Sequence, residues 1–443
     1  MDVRKLYIKL PQFVKEEIAN IEAYKRDSCR RGRLYNDLYN KISINNIFEE
    51  DYDKTINQKI NEFLEYAKDF IPAYKDLTFK KLPDVPILEK LLYRKNQFDY
   101  ISSEIGKKEL VLGRTSGSSG TPLSFYLSRL CYNYNYLYND KILEYWGCDL
   151  KRNRARCSGV ITCDTQKTTP PYWVYIKRYK QLQLSIYNIT NDSVKDYIYA
   201  INKYKVAFGT GYPSAWISLA KCAIKNDLEA PRIDVIITDS ESITETQKKV
   251  INKVFGSKVF GTYGTSETGN IAIQCECGNY HINPLMAYVE TVDENGRETE
   301  EEGDILITTL LDKRTPLFRY RVGDKGILRK GRCQCGLSSQ YLTNITGRVE
   351  DYVVIDGKKI TRLSAPFQKA KNIIAAQIIQ DSNSRLLIKY ISGDEFKREN
   401  IDEVIDDIRL LVGKKIEIKS ENTGKLERTA NGKVKFIIRK SAG

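Results

Sequence analysis

Between residues 110 and 260 the chain alternates short apolar runs with longer helical ones, and this limits the fold more than any other feature. Leu110-Val111-Leu112 precedes a helical pattern over 130–146, Cys157–Cys163 precedes Asn191–Tyr204, and Val206–Gly209 precedes Tyr212–Lys225. Ile233–Thr238 reads as a buried strand that stops at Asp239-Ser240-Glu241-Ser242; Thr244–Phe255 follows as a helix and Lys258-Val259-Phe260 as a strand. Strands separated by helices form a mostly parallel sheet with helices on its faces. Ligands of such sheets sit beyond the carboxyl ends of the strands, where Asp239–Ser242 and Tyr263–Glu267 fall.

The flanks differ. Residues 1–105 form a helical N-terminal region, with Phe13, Ile18, Ile21 and Tyr24, then Phe63, Tyr66, Phe70 and Tyr74, at helical spacing. Residues 271–346 form a β-rich part, in which Ala287–Val292, Gly303–Thr309 and Leu317–Leu328 read as antiparallel strands joined by turns such as Glu294-Asn295-Gly296. The character changes again near Gly347, and Asp351–Ile360 reads as a hairpin turning at Asp356-Gly357. The expected division is an N-terminal domain over 1–349 and a small α+β C-terminal domain over 350–443. The expected class is α/β.

Composition narrows the functions. A chain of 443 residues with 41% hydrophobic and 29% charged residues has ample core for a large globular domain and a smaller one. It has no apolar run of 18 residues, and Met1-Asp2-Val3-Arg4-Lys5 lacks the apolar core of a secretory signal, so a cytoplasmic location is expected. The net charge of +14 raises nucleic-acid binding, yet the basic residues are interleaved with Asp and Glu, and clusters such as Arg30-Arg31-Gly32-Arg33 are brief. Six of the ten cysteines are scattered and expected to be reduced. The other four form two C-x-C-G elements, Cys275-Glu276-Cys277-Gly278 and Cys333-Gln334-Cys335-Gly336, and His281, the one histidine, follows the first. Thiolates on tight turns suit tetrahedral Zn²⁺, and Cys275, Cys277, His281, Cys333 and Cys335 are five candidates for four structural places.

Five segments point to nucleotide chemistry. Thr115-Ser116-Gly117-Ser118-Ser119-Gly120-Thr121-Pro122 lies between two apolar runs, and its glycines and hydroxyls can bring donors together around phosphates. Tyr263-Gly264-Thr265-Ser266-Glu267 offers an aromatic face and a carboxylate suited to Mg²⁺. Tyr320-Arg321-Val322-Gly323-Asp324 ends in an aspartate able to accept two ribose hydroxyls. Gly347-Arg348-Val349-Glu350-Asp351 lies at the expected boundary, and Asn431-Gly432-Lys433 places a cation on a turn. Singly, Glu267 suits a helix start, Asp324 a turn, Arg348 a surface and Lys433 a hairpin.

In this order the segments resemble the adenylate-forming superfamily of acyl- and aryl-CoA ligases, over residues 110 to 436. The TSGSSGTPL form and the paired cysteines are similar to the phenylacetate–CoA ligase branch, and within it to the CapK-type proteins associated with capsule and surface polysaccharides. The resemblance implies a large N-terminal adenylation domain and a mobile C-terminal domain. It implies that Ser116, Gly117, Ser118, Ser119, Gly120 and Thr121 hold ATP phosphates, that Ser240 and Glu241 line the adenine pocket, and that Tyr263 and Gly264 lie beside them. Thr265 and Glu267 would serve phosphate and Mg²⁺, Asp324 and Arg348 the ribose, Glu350 the hinge, and Lys433 the adenylation step. It also favours Cys275, His281, Cys333 and Cys335 as the zinc ligands, with Cys277 as the alternative fourth. Leu123 stands near where many superfamily members carry a lysine, so more of the phosphate charge would fall to Lys433 and backbone donors.

The implied activity is ATP-dependent conversion of a carboxylic acid to an acyl or aryl adenylate with release of pyrophosphate, then transfer to CoA. An amine or hydroxyl acceptor, on a sugar or carrier, is the alternative. A zinc-containing nucleic-acid-binding protein is a third reading, against which the dispersed charge weighs. Tyr172, Trp173, Tyr212 and Trp216 suggest a flat or apolar acid, or serve the core.

Overall fold

The computed structural model describes residues 6–49, 52–114, 123–346, 352–355, 358–360, 363, 366–367, 370–412, 416–428 and 434–440. The chain divides into two compact units. Met1–Lys25, Gly147–Val259 and Gly347–Gly443 build the first, and Arg26–Trp146 and Phe260–Thr346 the second.

The first unit contains the expected parallel sheet. Its strands run in the order Val235–Thr238, Phe208–Gly211, Arg154–Ser158, Gln181–Ser185, Trp173–Ile176. The first four are parallel and the last is antiparallel. All five residues of Gln181–Ser185 are buried, as a strand covered on both faces requires. The helices Val194–Lys203, Pro213–Lys225 and Glu245–Phe255 contribute Tyr197, Ile201, Trp216, Leu219, Ile251 and Phe255 to the core beside it. Helix Glu245–Phe255 is well marked at both ends. Thr244 and Gln247 form a capping box, and Gly256 closes it at φ +61°. The expected strand Cys157–Cys163 is instead Arg154–Ser158, and Thr162 and Cys163 lie in the following loop, pinned by Thr162 Oγ1 donating to the Tyr172 carbonyl at 3.0 Å.

The C-terminal stretch of this unit has its own sheet, ordered Glu417–Asn422, Arg385–Ser392, Ile373–Ser382, Ile437–Arg439. Helix Arg398–Val412 packs Ile401, Val404, Ile405 and Ile408 with Ile378, Leu386 and Ile388, and Val353 and Ile355 join them. Ile374, Ile391 and Leu426 face the other core of the unit, Gln247 donates to the Ile374 carbonyl, and Lys253 meets Asp394 at 2.6 Å. The expected boundary at 349/350, Glu350 included, lies outside the described residues.

The second unit is antiparallel. Its sheet runs Ala287–Val292, Gly303–Thr309, Tyr320–Arg329, Tyr341–Thr346, Tyr280–Ile282, Gly269–Gln274, Lys258–Thr265. A separate hairpin pairs Leu110–Arg114 with Ser124–Ser128. The helix Arg129–Tyr145 is tied to the N-terminal helices through Asp140, which accepts from Arg31 at 2.9 Å and from Tyr35 at 2.7 Å. Among the described residues no helix is long and apolar enough to cross a membrane.

Candidate functional site

In the second unit, Tyr263–Thr265 ends a strand and Ser266–Glu267 lies in the turn that follows. Gly264 is required there, because a Cβ would lie 2.0 Å from the Gly269 carbonyl oxygen. Thr265 and Thr268 close the turn reciprocally: Thr265 N–H donates to Thr268 Oγ1 at 3.3 Å, and Thr268 N–H to Thr265 Oγ1 at 3.2 Å. Glu267 is 4% exposed, and Tyr320 donates to its Oε1 at 3.1 Å. Lys90 Nζ lies 3.7 Å from the same oxygen. A buried carboxylate needs such partners. On the strand that begins with Tyr320, Asp324 accepts from the Tyr263 hydroxyl at 3.1 Å. Two motifs far apart in sequence therefore meet twice, through Tyr263–Asp324 and Glu267–Tyr320. Lys90 and Tyr320 were not singled out from sequence. Lys90 carries no local signal, whereas Tyr320 opens the motif that contains Asp324.

In the first unit, Ser240 and Glu241 lie beyond the end of the strand Val235–Thr238. Ser240 takes φ +69°, a left-handed conformation that costs a non-glycine residue roughly 1 kcal/mol or more. Asp239 meets Arg156 at 3.2 Å. Both oxygens of Glu241 are engaged: Oε2 accepts from Ser214 N–H at 3.1 Å, and Oε1 from the Ser214 hydroxyl at 3.0 Å and from Val434 N–H at 3.1 Å. Arg428 donates to Ser214 Oγ at 2.9 Å, and Arg428 and Val434 face each other across an antiparallel bridge. Tyr172, Trp173, Tyr212 and Trp216 are all buried in the core; Trp216 donates to the Thr210 carbonyl at 3.1 Å and Tyr172 stacks on Tyr197. Core packing accounts for them. Leu123 is fully buried.

The cysteine elements meet in the second unit. Ligand atoms of Cys275, His281, Cys333 and Cys335 all lie within 4.8 Å of one another, whereas Cys277 is exposed. Cys335 Sγ is 3.3 Å from His281 Nε2, and His281 Nδ1 is 3.1 Å from Ser339 Oγ. Burial pushes the imidazole down to about 4, so it is neutral and its Nε2 lone pair suits a metal. Burial pushes the Cys333 thiol up, but the Cys335 amide and the Asn279 side chain outweigh it and hold the thiol below its ordinary value. Three sulfurs and one imidazole nitrogen at this spacing fit a tetrahedral Zn²⁺ with no open position. The segment Ser116–Thr121, Arg348, Glu350 and Lys433 lie outside the described residues.

Comparison with known proteins agrees with the motifs. The family model of the CapK C-terminal domain matches residues 353–440. The chain is 24% identical over 403 residues to protein CapK of Staphylococcus aureus, covering 86% of this chain and 88% of that protein. It is 29% identical over 135 residues to a phenylacetate–coenzyme A ligase of Thermus thermophilus, covering 29% of this chain and 30% of the relative. Among solved structures, a 2-hydroxyisobutyryl-CoA ligase in its postadenylation state superposes with a TM-score of 0.64 at 18% identity, covering 88% of this chain and 89% of that one. Residues 353–440 are thus similar to a CapK C-terminal domain, and the whole has the fold of adenylate-forming CoA ligases.

Proposed function

We propose that this chain, CapK-like in sequence and a CoA ligase in fold, activates a carboxylic acid with ATP and passes the acyl group to CoA. The pairing of Tyr263 with Asp324 beside Glu267, Tyr320 and Lys90 carries the reading. Asp324 and Arg348 would take ribose hydroxyls, Ser240 and Glu241 the adenine, Tyr263 and Gly264 the nucleotide, and Ser116–Thr121 with Thr265 the phosphates. A carboxylate, with an ordinary pKa near about 4, is ionised at neutral pH and attacks the α-phosphate without a general base. Its oxygen bonds to phosphorus as the bond to pyrophosphate breaks. Bringing anion to anion is the difficulty, and Lys433 and loop N–H groups would answer it electrostatically. Mg²⁺ held on Glu267 would neutralise phosphate charge; with Lys90 and Tyr320 on its Oε1, that carboxylate is held in one orientation. A thiol then displaces AMP from the acyl carbon. The C-terminal domain, 350–443, would turn about Glu350 between the two steps. Zn²⁺ on Cys275, His281, Cys333 and Cys335 would be structural. The relationship to CapK makes surface-polysaccharide synthesis the proposed setting.

A screen of carboxylic acids for ATP-dependent pyrophosphate release tests this, with CoA-dependent AMP release as the second stage. At least one acid should support both. Lys433→Ala should raise the first barrier by roughly 3–4 kcal/mol and spare consumption of supplied acyl-adenylate. Release of AMP with an amine or a hydroxyl but not with CoA would reassign the acceptor.

A further inference from the structure

The sheet of the first unit ends at the strand Trp173–Ile176, whose outer edge needs backbone partners. The helix Gln12–Arg30 supplies them from its side chains. Gln12 donates to the Trp173 carbonyl at 2.8 Å, Glu16 accepts from Tyr175 N–H at 3.3 Å, and Asn20 accepts from Lys177 N–H at 2.8 Å. Four residues rise about 6 Å along a helix and two residues about 7 Å along a strand, so these side chains keep step with every second residue of the edge. Lys15 and Ala23 are buried on the same side, where Lys15 donates to the Thr162 carbonyl at 3.5 Å and Tyr179 to the Ala23 carbonyl at 3.0 Å. The helix is thereby turned inside out. A helix on a globular surface ordinarily buries its apolar stripe. Here the polar stripe is committed to the sheet edge, and Phe13, Ile18, Ile21 and Tyr24 are 70%, 41%, 56% and 61% exposed. Half-buried Val14 joins Phe13 to Ile18. Single exposed apolar residues are common, but a continuous patch marks a contact surface.

Cations border the patch. Arg178 lies over the Tyr24 ring at 5.4 Å, Lys177 meets Glu17 at 3.5 Å, and Lys25 follows Tyr24; all three are exposed. Against them stand Glu17, which Lys177 neutralises, and Glu22, within a chain of net charge +14. Apolar side chains flanked by Lys and Arg suit the headgroup boundary of a bilayer, where the apolar groups insert and the cations meet anionic headgroups. A second copy of the chain fits less well. Two such copies repel each other, and a stable pair asks for about 20–30 residues on each side, far more than this stripe offers. We propose that the face carrying Phe13, Ile18, Ile21 and Tyr24 is a docking surface for an anionic lipid bilayer, holding the chain at the membrane surface without spanning it. This goes beyond the ligase reading and does not depend on it.

Cosedimentation of the full-length chain with vesicles of phosphatidylglycerol and phosphatidylcholine tests the surface. Wild type should pellet with these mixed vesicles, bind at least about fivefold more weakly to phosphatidylcholine alone, and release as salt is raised. Phe13→Asp combined with Ile21→Asp should weaken binding to the mixed vesicles by about tenfold or more, and Arg178→Ser by about fivefold. Both variants should melt with wild type, because the replaced side chains are exposed. If the double variant melts early, Ile21→Asp alone and Arg178→Ser decide the question. Leu77→Asp, a like change at an exposed apolar residue outside the patch, should bind as wild type does. Failure of wild type to pellet with mixed vesicles, or unchanged binding in the double variant, overturns the proposal. Equal loss in Leu77→Asp overturns it too, since binding would then follow net charge alone. A dimeric wild type and a monomeric double variant by light scattering, with no vesicle binding by either, would overturn it in favour of a second copy of the chain.

Discussion

Set side by side, Cys275–Asn279 and Cys333–Leu337 have the same backbone. In each, the first cysteine N–H donates to the carbonyl four residues on, at 2.9 and 3.0 Å, and the glycine N–H donates back to the first cysteine at 2.9 Å. Gly278 and Gly336 take φ +84° and +94°. The side chains part company at the second cysteine. Cys335 turns into the cluster and Cys277 is exposed; His281, from the strand Tyr280–Ile282, joins it. A repeat of turns is therefore not a repeat of side-chain placement. A turn fixes its first thiol, while neighbouring strands decide whether the second is used.

The sharpest way to break this comparison is to remove a shared first ligand. Cys333→Ser or Cys275→Ser should abolish stoichiometric zinc and cost on the order of 4 kcal/mol or more, measured by metal analysis and urea unfolding. A chelator should destabilise wild type similarly and leave either variant unmoved. Ser339→Ala removes the partner of His281 Nδ1 and should weaken zinc affinity by about 10–100-fold, read by competition with a chromophoric chelator. Gly278→Ala and Gly336→Ala should each cost about 1–2 kcal/mol, and near-equal values would confirm that the backbones match. Cys277→Ser should retain zinc and stay within about 0.5 kcal/mol of wild type. Zinc loss in that variant would overthrow the assignment of corners.

Much of the architecture was legible because its signals are local. Ala287–Val292 and Gly303–Thr309 were readable to the residue, and helix Glu245–Phe255 starts one residue after the expected Thr244, which is its cap. The pair Trp173–Ile176 and Gln181–Ser185 was not legible. Gln-Leu-Gln-Leu-Ser alternates as a half-exposed strand would, yet its glutamines are buried, with Gln183 donating to Ser158 Oγ and to the Arg156 carbonyl, each at 3.2 Å. Only the fold supplies those acceptors. The same holds for the site. Tyr263, Glu267 and Asp324 stood out through motif order, whereas Lys90 and Arg428 acquire meaning through partners more than 100 residues distant.

The discontinuity of the first unit bears on how the protein is made. Gln12 donates to the Trp173 carbonyl at 2.8 Å, and Asn20 accepts from Lys177 N–H at 2.8 Å. A ribosome adding about 5–20 residues per second needs on the order of ten seconds to deliver those partners. Until then the first turns of the opening helix lack these partners, although its end can already meet Asn133, which donates to the Cys29 and Arg30 carbonyls, and the unit cannot close before its last stretch, after Gly347, has emerged. Early termination before Lys177 would leave the beginning of the polypeptide exposed to proteases as well as its end.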